Sequence, residues 1–389
     1  MTRSSSGPLA GVRVIEIASL APGPFACTVL SDLGADVLRI DRAASDVAAP
    51  EGPTDPLIRG RRSAAVDLKH PHGARLVRNL AASADVLVEG FRPGVAERLG
   101  IGPDDCRRLN PRLVYGRMTG WGQEGPLAPR AGHDINYIGL AGALEPIGDS
   151  ARPTVPLNLV GDFGGGGMLL AVGILAALFE RDRSGLGQVV DAAMVDGAAL
   201  LTAGLHGMRA AGHWPAGRRG NLLDGGAPFY DTYETADGRF VAVGALEPQF
   251  YAQLLAGLGL SEADDVPRQD DRARWPELRL RLAAVFKERT RDEWTARFQD
   301  TDACVTPVLS PWEAHEHPHN AARGVFQSSS GVRQPSPAPR LDRTPGSIAG
   351  PPPHPGQHSV SALADWGRAE EEVSALLAAG VIATAPATV

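Results

Sequence analysis

Two segments of this sequence carry side chains suited to proton transfer. His133 lies in Ala131-Gly-His-Asp-Ile-Asn-Tyr137, and an imidazole changes its charge near neutral pH. Asp162 ends the segment Leu157-Asn-Leu-Val-Gly-Asp162 and is followed, after Phe163, by four consecutive glycines. A carboxylate in such a setting can act as a base or as a nucleophile. Together the two segments form a candidate active site.

The residues after Asp162 predict how its carboxylate is held. Met168–Phe179 is an apolar run long enough for a helix but too short to span a membrane. Asp162 would precede the N-terminus of this helix, where the helix dipole and free N–H groups favour an ionised carboxylate. The glycines allow a backbone or a ligand to approach closely, and we expect them to leave room for a substrate. The alternative is that Asp162 only caps the helix.

Composition limits the classes of protein to which this chain can belong. Its 389 residues suffice for two domains, and its hydrophobic fraction of 43% is typical of globular proteins. A net charge of −7 argues against a nucleic-acid partner, because phosphates require a positive surface. We find neither a signal-peptide pattern nor a run of 18 apolar residues, so we expect a soluble cytoplasmic protein without a membrane partner. Cys27, Cys106 and Cys304 have no metal-binding spacing and fit a reducing compartment.

Strand and helix patterns alternate through the first half of the chain. We expect strands at 11–18, 37–40, 63–68, 85–91, 113–119 and 188–194, and helices at 25–33 and 72–82. This alternation predicts an α/β fold with a Rossmann-like parallel sheet covered on both faces. The GxGxxG fingerprint is absent after the first strand, so a nicotinamide cofactor has no support.

Basic residues follow several of these strands. They are Arg39, Arg42, Lys69, Arg92 and Arg98, and Lys69 is one of only two lysines in the chain. Because open α/β sheets bind ligands at the carboxyl ends of their strands, these side chains could hold a polyphosphate. The alternative for each of them is a solvated surface charge.

The second half predicts a smaller α/β domain. Two β-rich runs joined by Asp237-Gly238 indicate a hairpin, and Glu247 follows its second strand beside Pro248. Helices are expected at about 249–259, 275–287, 291–299 and 370–380. The resulting division is a large domain at 8–194, a linker at 195–220, a small domain at 221–300, a linker at 301–330 and a C-terminal segment at 331–389 that returns to the large domain.

Two further groups resemble functional sites. The histidines at 315, 317 and 319 stand beside Pro318 and lack the helical spacing of a zinc site, so we predict no metal. Asp191 and Asp196 are read as a strand-end hydrogen-bond acceptor and a helix cap.

Six segments resemble the α-methylacyl-CoA racemases, which belong to the family III CoA-transferase superfamily. They are Leu20–Phe25, Ala131–Tyr137, Leu157–Asp162, Gly187–Met194, Gly225–Pro228 and Gly244–Phe250. The resemblance covers nearly the whole chain and is weakest at 43–58 and in the Pro-rich tail. It implies the family III CoA-transferase fold and an interlocked homodimer, with each active site between the large domain of one subunit and the small domain of the other.

The resemblance also implies a reaction and its residues. Inversion at the carbon next to a thioester requires two acid/base groups, for which His133 and Asp162 are suited. By analogy Glu247 would orient His133 across the dimer interface, and the Asp134 N–H, with Asn158 as a weaker candidate, would stabilise the enolate oxygen. CoA is part of the substrate and no other cofactor is expected. The residues implied in CoA binding are Arg42, Val66, Asp67, Leu68, Lys69, Phe91, Arg92, Arg98, Gly132, Ile135, Asn136 and Tyr137.

Two alternatives to a racemase remain open. A CoA-transferase of the same superfamily would use Asp162 as the nucleophile that forms an acyl-enzyme anhydride. A catalytically inert acyl-CoA-binding dimer is the other, but such a protein would not need both His133 and Asp162.

Overall fold

The computed structural model describes residues 6–43, 54–260 and 265–385. Most of the segment 43–58, where the resemblance is weak, lies outside these residues. Contacts divide the chain into two compact units. The first unit holds residues 1–141, 157–201 and 322–389, and the second holds 142–156 and 202–321.

The first 201 residues alternate strands and helices, and all six strands expected there are present. The strands are β1 (Arg13–Ile17), β2 (Asp36–Arg42), β3 (Arg62–Val66), β4 (Val86–Glu89), β5 (Val114–Thr119) and β6 (Val189–Ala193). The helices are α1 (Pro22–Asp32), α2 (Pro71–Ala81), α3 (Val95–Arg98), α4 (Pro103–Arg107), α5 (Asp134–Leu140), α6 (Leu169–Ser184) and α7 (Met194–Leu201), with a π-helix at Leu159–Met168.

The second unit contains the predicted hairpin. Its elements are α8 (Ala203–Ala210), β7 (Tyr230–Glu234), β8 (Phe240–Gly244), α9 (Pro248–Leu258), α10 (Trp275–Phe286), α11 (Arg291–Phe298) and β9 (Val305–Pro307). Strand β9, which the sequence analysis did not predict, pairs antiparallel with β8. The sequence places 142–156 in the large domain, whereas the structure groups them with this unit. Among the contacts between them, Arg218 donates hydrogen bonds to the carbonyls of Glu145 and Asp149.

The C-terminal part begins with α12 (Pro318–Arg323), which crosses the boundary between the units. It continues with the hairpin β10 (Phe326–Ser329) and β11 (Val332–Pro335), then α13 (Ser359–Asp365), α14 (Glu370–Ala378) and β12 (Ile382–Ala383). Strand β12 pairs antiparallel with β3, so the chain ends on the sheet of the first unit.

The large sheet has the strand order β12-β3-β2-β1-β4-β5-β6. Strands β1 to β6 are parallel, as the alternation of strands and helices predicted. Neighbouring residues of β1 face opposite sides, so that Ile15 packs in one core and Val14 in the other. The strand order reverses between β1 and β4. In open α/β sheets the crevice at this point binds ligands.

The run from Leu159 to Ser184 is longer than the sequence analysis predicted. Its 26 residues have a mean hydropathy of 1.7, long and apolar enough to cross a membrane by length and composition alone. We expected a helix only from Met168, where the continuous apolar run after the glycines begins. Leu170 and Ile174 are fully buried against the sheet, and the buried core helix of an α/β protein passes the same test.

Candidate active site

A cavity of about 410 Å³ opens where β1, β4 and β5 end. This is the point at which the strand order reverses. Segments 18–22, 90–93 and 118–121 follow the three strands and form its walls, and segment 128–133 adds a further wall. His133, Tyr137 and Asp162 all line this cavity, so the tertiary structure joins the two segments with which the sequence analysis began.

His133 is the residue before α5. Its backbone N–H donates to the Asn136 side-chain oxygen at 3.0 Å, and its carbonyl accepts from the Asn136 N–H at 2.8 Å. These two bonds fix the start of the helix and leave the imidazole exposed at the cavity. Tyr137, one turn along, donates from its hydroxyl to the Gly132 carbonyl and packs edge-on against Trp121. The loop before His133 is therefore braced from both sides.

Asp162 lies in the first turns of the π-helix rather than before a helix that starts at Met168. Its backbone N–H donates to Asp134 Oδ2 at 2.7 Å, and its Oδ2 accepts from the Asn158 side-chain amide at 3.0 Å. Asn158, which the resemblance implies as a weaker candidate donor to an enolate oxygen, uses one N–H of its amide for this bond to the carboxylate. Asn158 therefore orients Asp162.

Burial raises the pKa of the Asp162 carboxyl above its ordinary value. The Asn158 hydrogen bond and the nearby His133 oppose this shift, and the adjacent Asp134 carboxylate adds to it. We expected the helix start to favour the ionised form, but the net shift of the pKa is upward, and desolvation by burial is its largest cause. A carboxylate with a raised pKa is a stronger base than an ordinary one.

The glycines after Asp162 contact protein rather than open space. A Cβ at Gly165 would lie 2.6 Å from the Ala198 backbone nitrogen, and one at Gly167 would lie 2.6 Å from the Pro22 carbonyl oxygen. The π-helix thus packs backbone to backbone against α7 and α1. The expectation that these glycines leave room for a substrate is wrong, since they set how closely the helix of Asp162 approaches its neighbours.

A second cavity of about 760 Å³ lies beside the ends of β2 and β3. Its walls include a group of predicted CoA-binding residues, namely Arg42, Val66, Asp67, Leu68, Lys69 and Phe91. Arg42 and Phe91 line the first cavity as well, and Arg92 lines only the first. Exposed Arg42 and Lys69 are available for a phosphate group.

Some of the expected residues lie elsewhere. Arg39 is buried and paired with Glu16 at 2.6 Å, so it is a structural ion pair and not a phosphate ligand. Arg98, Ile135 and Asn136 line neither cavity. Asp134 is buried, its Oδ2 accepts the Asp162 N–H, and its Oδ1 has no hydrogen-bond partner among the described residues.

Glu247, the residue before α9, is exposed in the second unit.

Within the described residues, no group of three or more His, Cys, Asp or Glu side chains could hold a metal ion. His315, His317 and His319 are among the described residues and form no such group. Asp191 accepts a hydrogen bond from the Gln123 N–H at 3.3 Å, in agreement with the structural role predicted for it.

Several lining residues were missed by the sequence analysis, among them Trp121, Arg130, Met118 and Met194. Trp121 and Met118 lie at the end of β5, so the rule that ligands bind at strand ends could have found them. Arg130 precedes the Ala131–Tyr137 segment and adds a third guanidinium to the cavity beside Arg42 and Arg92.

The model of CoA-transferase family III matches residues 9–359. The chain belongs to CoA-transferase family III. The α-methylacyl-CoA racemase of Mus musculus is 50% identical over 368 residues, which cover 94% of this chain and 95% of that protein. The Homo sapiens enzyme of the same name is 48% identical over 370 residues, with coverage of 94% and 95%.

Solved structures agree with the fold expected for this family. A CAIB/BAIF family protein from Brucella suis superposes with a TM-score of 0.79 at 26% identity, covering 93% of this chain and 100% of that one. The prediction of a family III CoA-transferase fold is therefore confirmed.

Proposed function

We propose that this protein is an α-methylacyl-CoA racemase, an isomerase that interconverts (R)- and (S)-2-methylacyl-CoA thioesters. The observation that carries the proposal is the presence of His133 and Asp162 on one cavity, in a chain half identical to enzymes of that name. One group removes the proton on the α-carbon, which leaves an enolate. The other group returns a proton to the opposite face, so no atom is gained or lost overall.

Asp162 and His133 are assigned the two acid/base roles. The raised pKa of Asp162 supports its role, because the α-proton of a thioester is weakly acidic and a stronger base removes it more readily. We assign the Asp134 backbone N–H, at the first position of α5, to the enolate oxygen, where a helix N-terminus favours negative charge. Asn158 orients the Asp162 carboxylate through its hydrogen bond.

CoA is assigned to the two cavities that share Arg42 and Phe91. Lys69 and Arg42 would hold phosphates near the second cavity, and Phe91 and Arg92 would guide the thioester arm toward Asp162. The loop from Gly132 to Tyr137 forms the wall beside the reacting carbon. We keep Arg98, Ile135 and Asn136 as candidates at the rim. The reaction needs no cofactor beyond the CoA of its substrate, and we propose that none is used.

We propose a homodimer in which Glu247 of one subunit orients His133 of the other. The support is an exposed apolar face on the central helix of the first unit. Met168, Val172 and Phe179 are 45%, 54% and 69% exposed, and they belong to the apolar helical run Leu159–Ser184. A cytoplasmic location, without membrane or nucleic-acid partners, completes the proposal.

The second candidate function is a CoA-transferase. The family name and the half-buried Asp162 favour it, since a carboxylate can attack a thioester to form an anhydride. The two functions differ in the fate of the α-proton, which a transferase leaves in place.

The test is incubation of the protein with (R)-2-methylacyl-CoA in deuterated water, without an acceptor acid. We expect deuterium at the α-carbon, measured by mass spectrometry, together with loss of stereochemical purity. A second reaction contains an added carboxylic acid. Transfer of CoA to that acid without α-deuterium would overturn the racemase and establish the transferase.

A further inference from the structure

Glu89 is a buried carboxylate that the acid/base mechanism does not use. It is the last residue of β4 and is fully buried. Its Oε2 accepts the Phe91 backbone N–H at 2.6 Å, and its Oε1 accepts Arg117 Nε at 3.1 Å. Arg117 is its register partner on the neighbouring strand β5. A carboxylate buried in this way needs hydrogen bonds and an opposite charge to offset the free energy of its desolvation.

The bond to Phe91 fixes a turn that both cavities share. Phe91 lines the two cavities, and Arg92 lines the smaller one that holds His133 and Asp162. Gly90 packs this turn closely on Ser19, where a Cβ would lie 2.9 Å from the Ser19 Cβ. A change at Glu89 would therefore move the cavity walls without touching a ligand.

Three other charged or titratable groups face Glu89. Arg117 also pairs with Glu97 of α3, at 2.9 Å, and Tyr115 of β5 lies near enough to interact electrostatically. Burial raises the pKa of Glu89 to about 7, against the Phe91 hydrogen bond and the Arg117 charge, and Glu97 adds to the increase. Glu89 consequently changes its charge in the neutral range, whereas Arg117, with a raised pKa, stays charged.

We propose that Glu89 is a positioning residue whose ionised carboxylate, paired with Arg117, holds the Phe91–Arg92 turn in the conformation that binds CoA. The inference rests on the proposed function, because it needs CoA in these cavities. Protonation of Glu89 removes the charge that accepts the Phe91 N–H and neutralises the partner of Arg117. The affinity for CoA then falls as the pH decreases through the pKa of Glu89.

The test is calorimetric titration of CoA into the intact protein from pH 6 to pH 8, for the wild type, Glu89→Gln and Glu97→Gln. For one group that must be ionised, with a pKa of about 7, the wild-type Kd should weaken about tenfold from pH 8 to pH 6. Glu89→Gln should bind at least about fivefold more weakly at pH 8, because hydrogen bonds to charged acceptors are stronger. It should also lose most of the pH dependence, and kinetically its KM should rise while kcat stays within about twofold.

Glu97→Gln is the matched control, since it removes the other carboxylate on Arg117 and leaves the bond to Phe91 intact. It should keep the wild-type Kd at pH 8. The phosphates of CoA also titrate between pH 6 and pH 8, but their effect on the Kd is the same for all three proteins. A wild-type Kd and pH slope in Glu89→Gln would overturn the inference. If Glu89→Gln fails to fold, a wild-type Kd for CoA that does not change with pH would overturn the inference instead. Failure of the wild type to bind CoA at any pH counts against the proposed function.

Discussion

Two carboxylates of the first unit, Glu16 and Asp162, are both removed from water but differ in their partners. Glu16, on β1, is fully buried between Arg39 at 2.6 Å and Arg61 at 2.9 Å. Burial raises its pKa, but the two guanidiniums outweigh burial, so the pKa lies below its ordinary value. The Asp162 carboxylate accepts a hydrogen bond from the Asn158 amide and pairs with no guanidinium among the described residues, so burial outweighs Asn158 and nearby His133 and keeps its pKa raised.

The difference separates a structural carboxylate from a reactive one. Arg61 also donates to Thr28 Oγ1 at 2.9 Å and to the Pro24 carbonyl, so the Glu16 cluster braces the turn that starts α1. Asp41 also pairs with Arg39 at 3.0 Å, so two carboxylates match the two guanidiniums, and the lowered pKa of Glu16 disfavours its protonation. Asp162 is positioned by backbone packing of its glycine-rich helix and keeps the capacity to gain and lose a proton.

The largest effect is expected from Asp162→Asn. Removal of an acid/base group should reduce deuterium incorporation and racemisation by about 10²- to 10⁴-fold, measured as kcat/KM, with unfolding little changed. Asp191→Asn is the control, because Asp191 is a carboxylate that also has a raised pKa but is exposed and lines neither cavity. Equal losses in both variants would contradict the assignment of Asp162.

Glu16→Gln should instead lower the stability of the protein and leave the catalytic rate of the folded protein little changed. Buried Arg61 would lose its carboxylate partner and Arg39 would keep only Asp41, so the free energy of unfolding should fall by about 3–5 kcal/mol in urea titrations. Because the folded-state pKa of Glu16 is lowered, its stabilisation is present at neutral pH and is lost as the pH falls through that value. A stable variant with impaired catalysis would erase the distinction between the two carboxylates.

Gly165→Ala tests whether packing positions Asp162. The added methyl group would meet the Ala198 backbone nitrogen at 2.6 Å, and we expect a loss of stability of about 1–3 kcal/mol together with reduced activity. The control is Gly204→Ala in α8, where a Cβ meets nothing within 4 Å. In Gly204→Ala the free energy of unfolding should rise by up to about 1 kcal/mol, because alanine favours a helix more than glycine does. Similar unfolding midpoints in the two variants would argue against this role for the glycines.

The smallest effect is expected from Asp134→Asn. The amide oxygen can still accept the Asp162 N–H, but the negative charge that helps to raise the pKa of Asp162 is gone. The acid limb of the kcat/KM profile should move to lower pH, with a smaller loss of rate than in Asp162→Asn. An unmoved limb would show that Asp134 does not tune the carboxylate.

The sequence by itself determined the parallel sheet, the hairpin and the candidate pair His133 and Asp162. Strand and helix periods are local properties, so alternating apolar runs identify β1 to β6 without knowledge of their partners. The chemistry of an imidazole and of a carboxylate is likewise fixed by residue type. The same local rules failed at the glycine run, where helix propensity is low but packing against α7 and α1 sustains a π-helix.

Only the tertiary structure decided which charges are free. Arg39 and Arg42 are three positions apart on β2, yet Arg39 is paired with buried Glu16 and Arg42 is exposed beside both cavities. The direction of the Asp162 pKa shift and the role of Asn158 were equally beyond the sequence. Desolvation and ion pairing depend on segments distant in the chain, and folding alone brings those segments together.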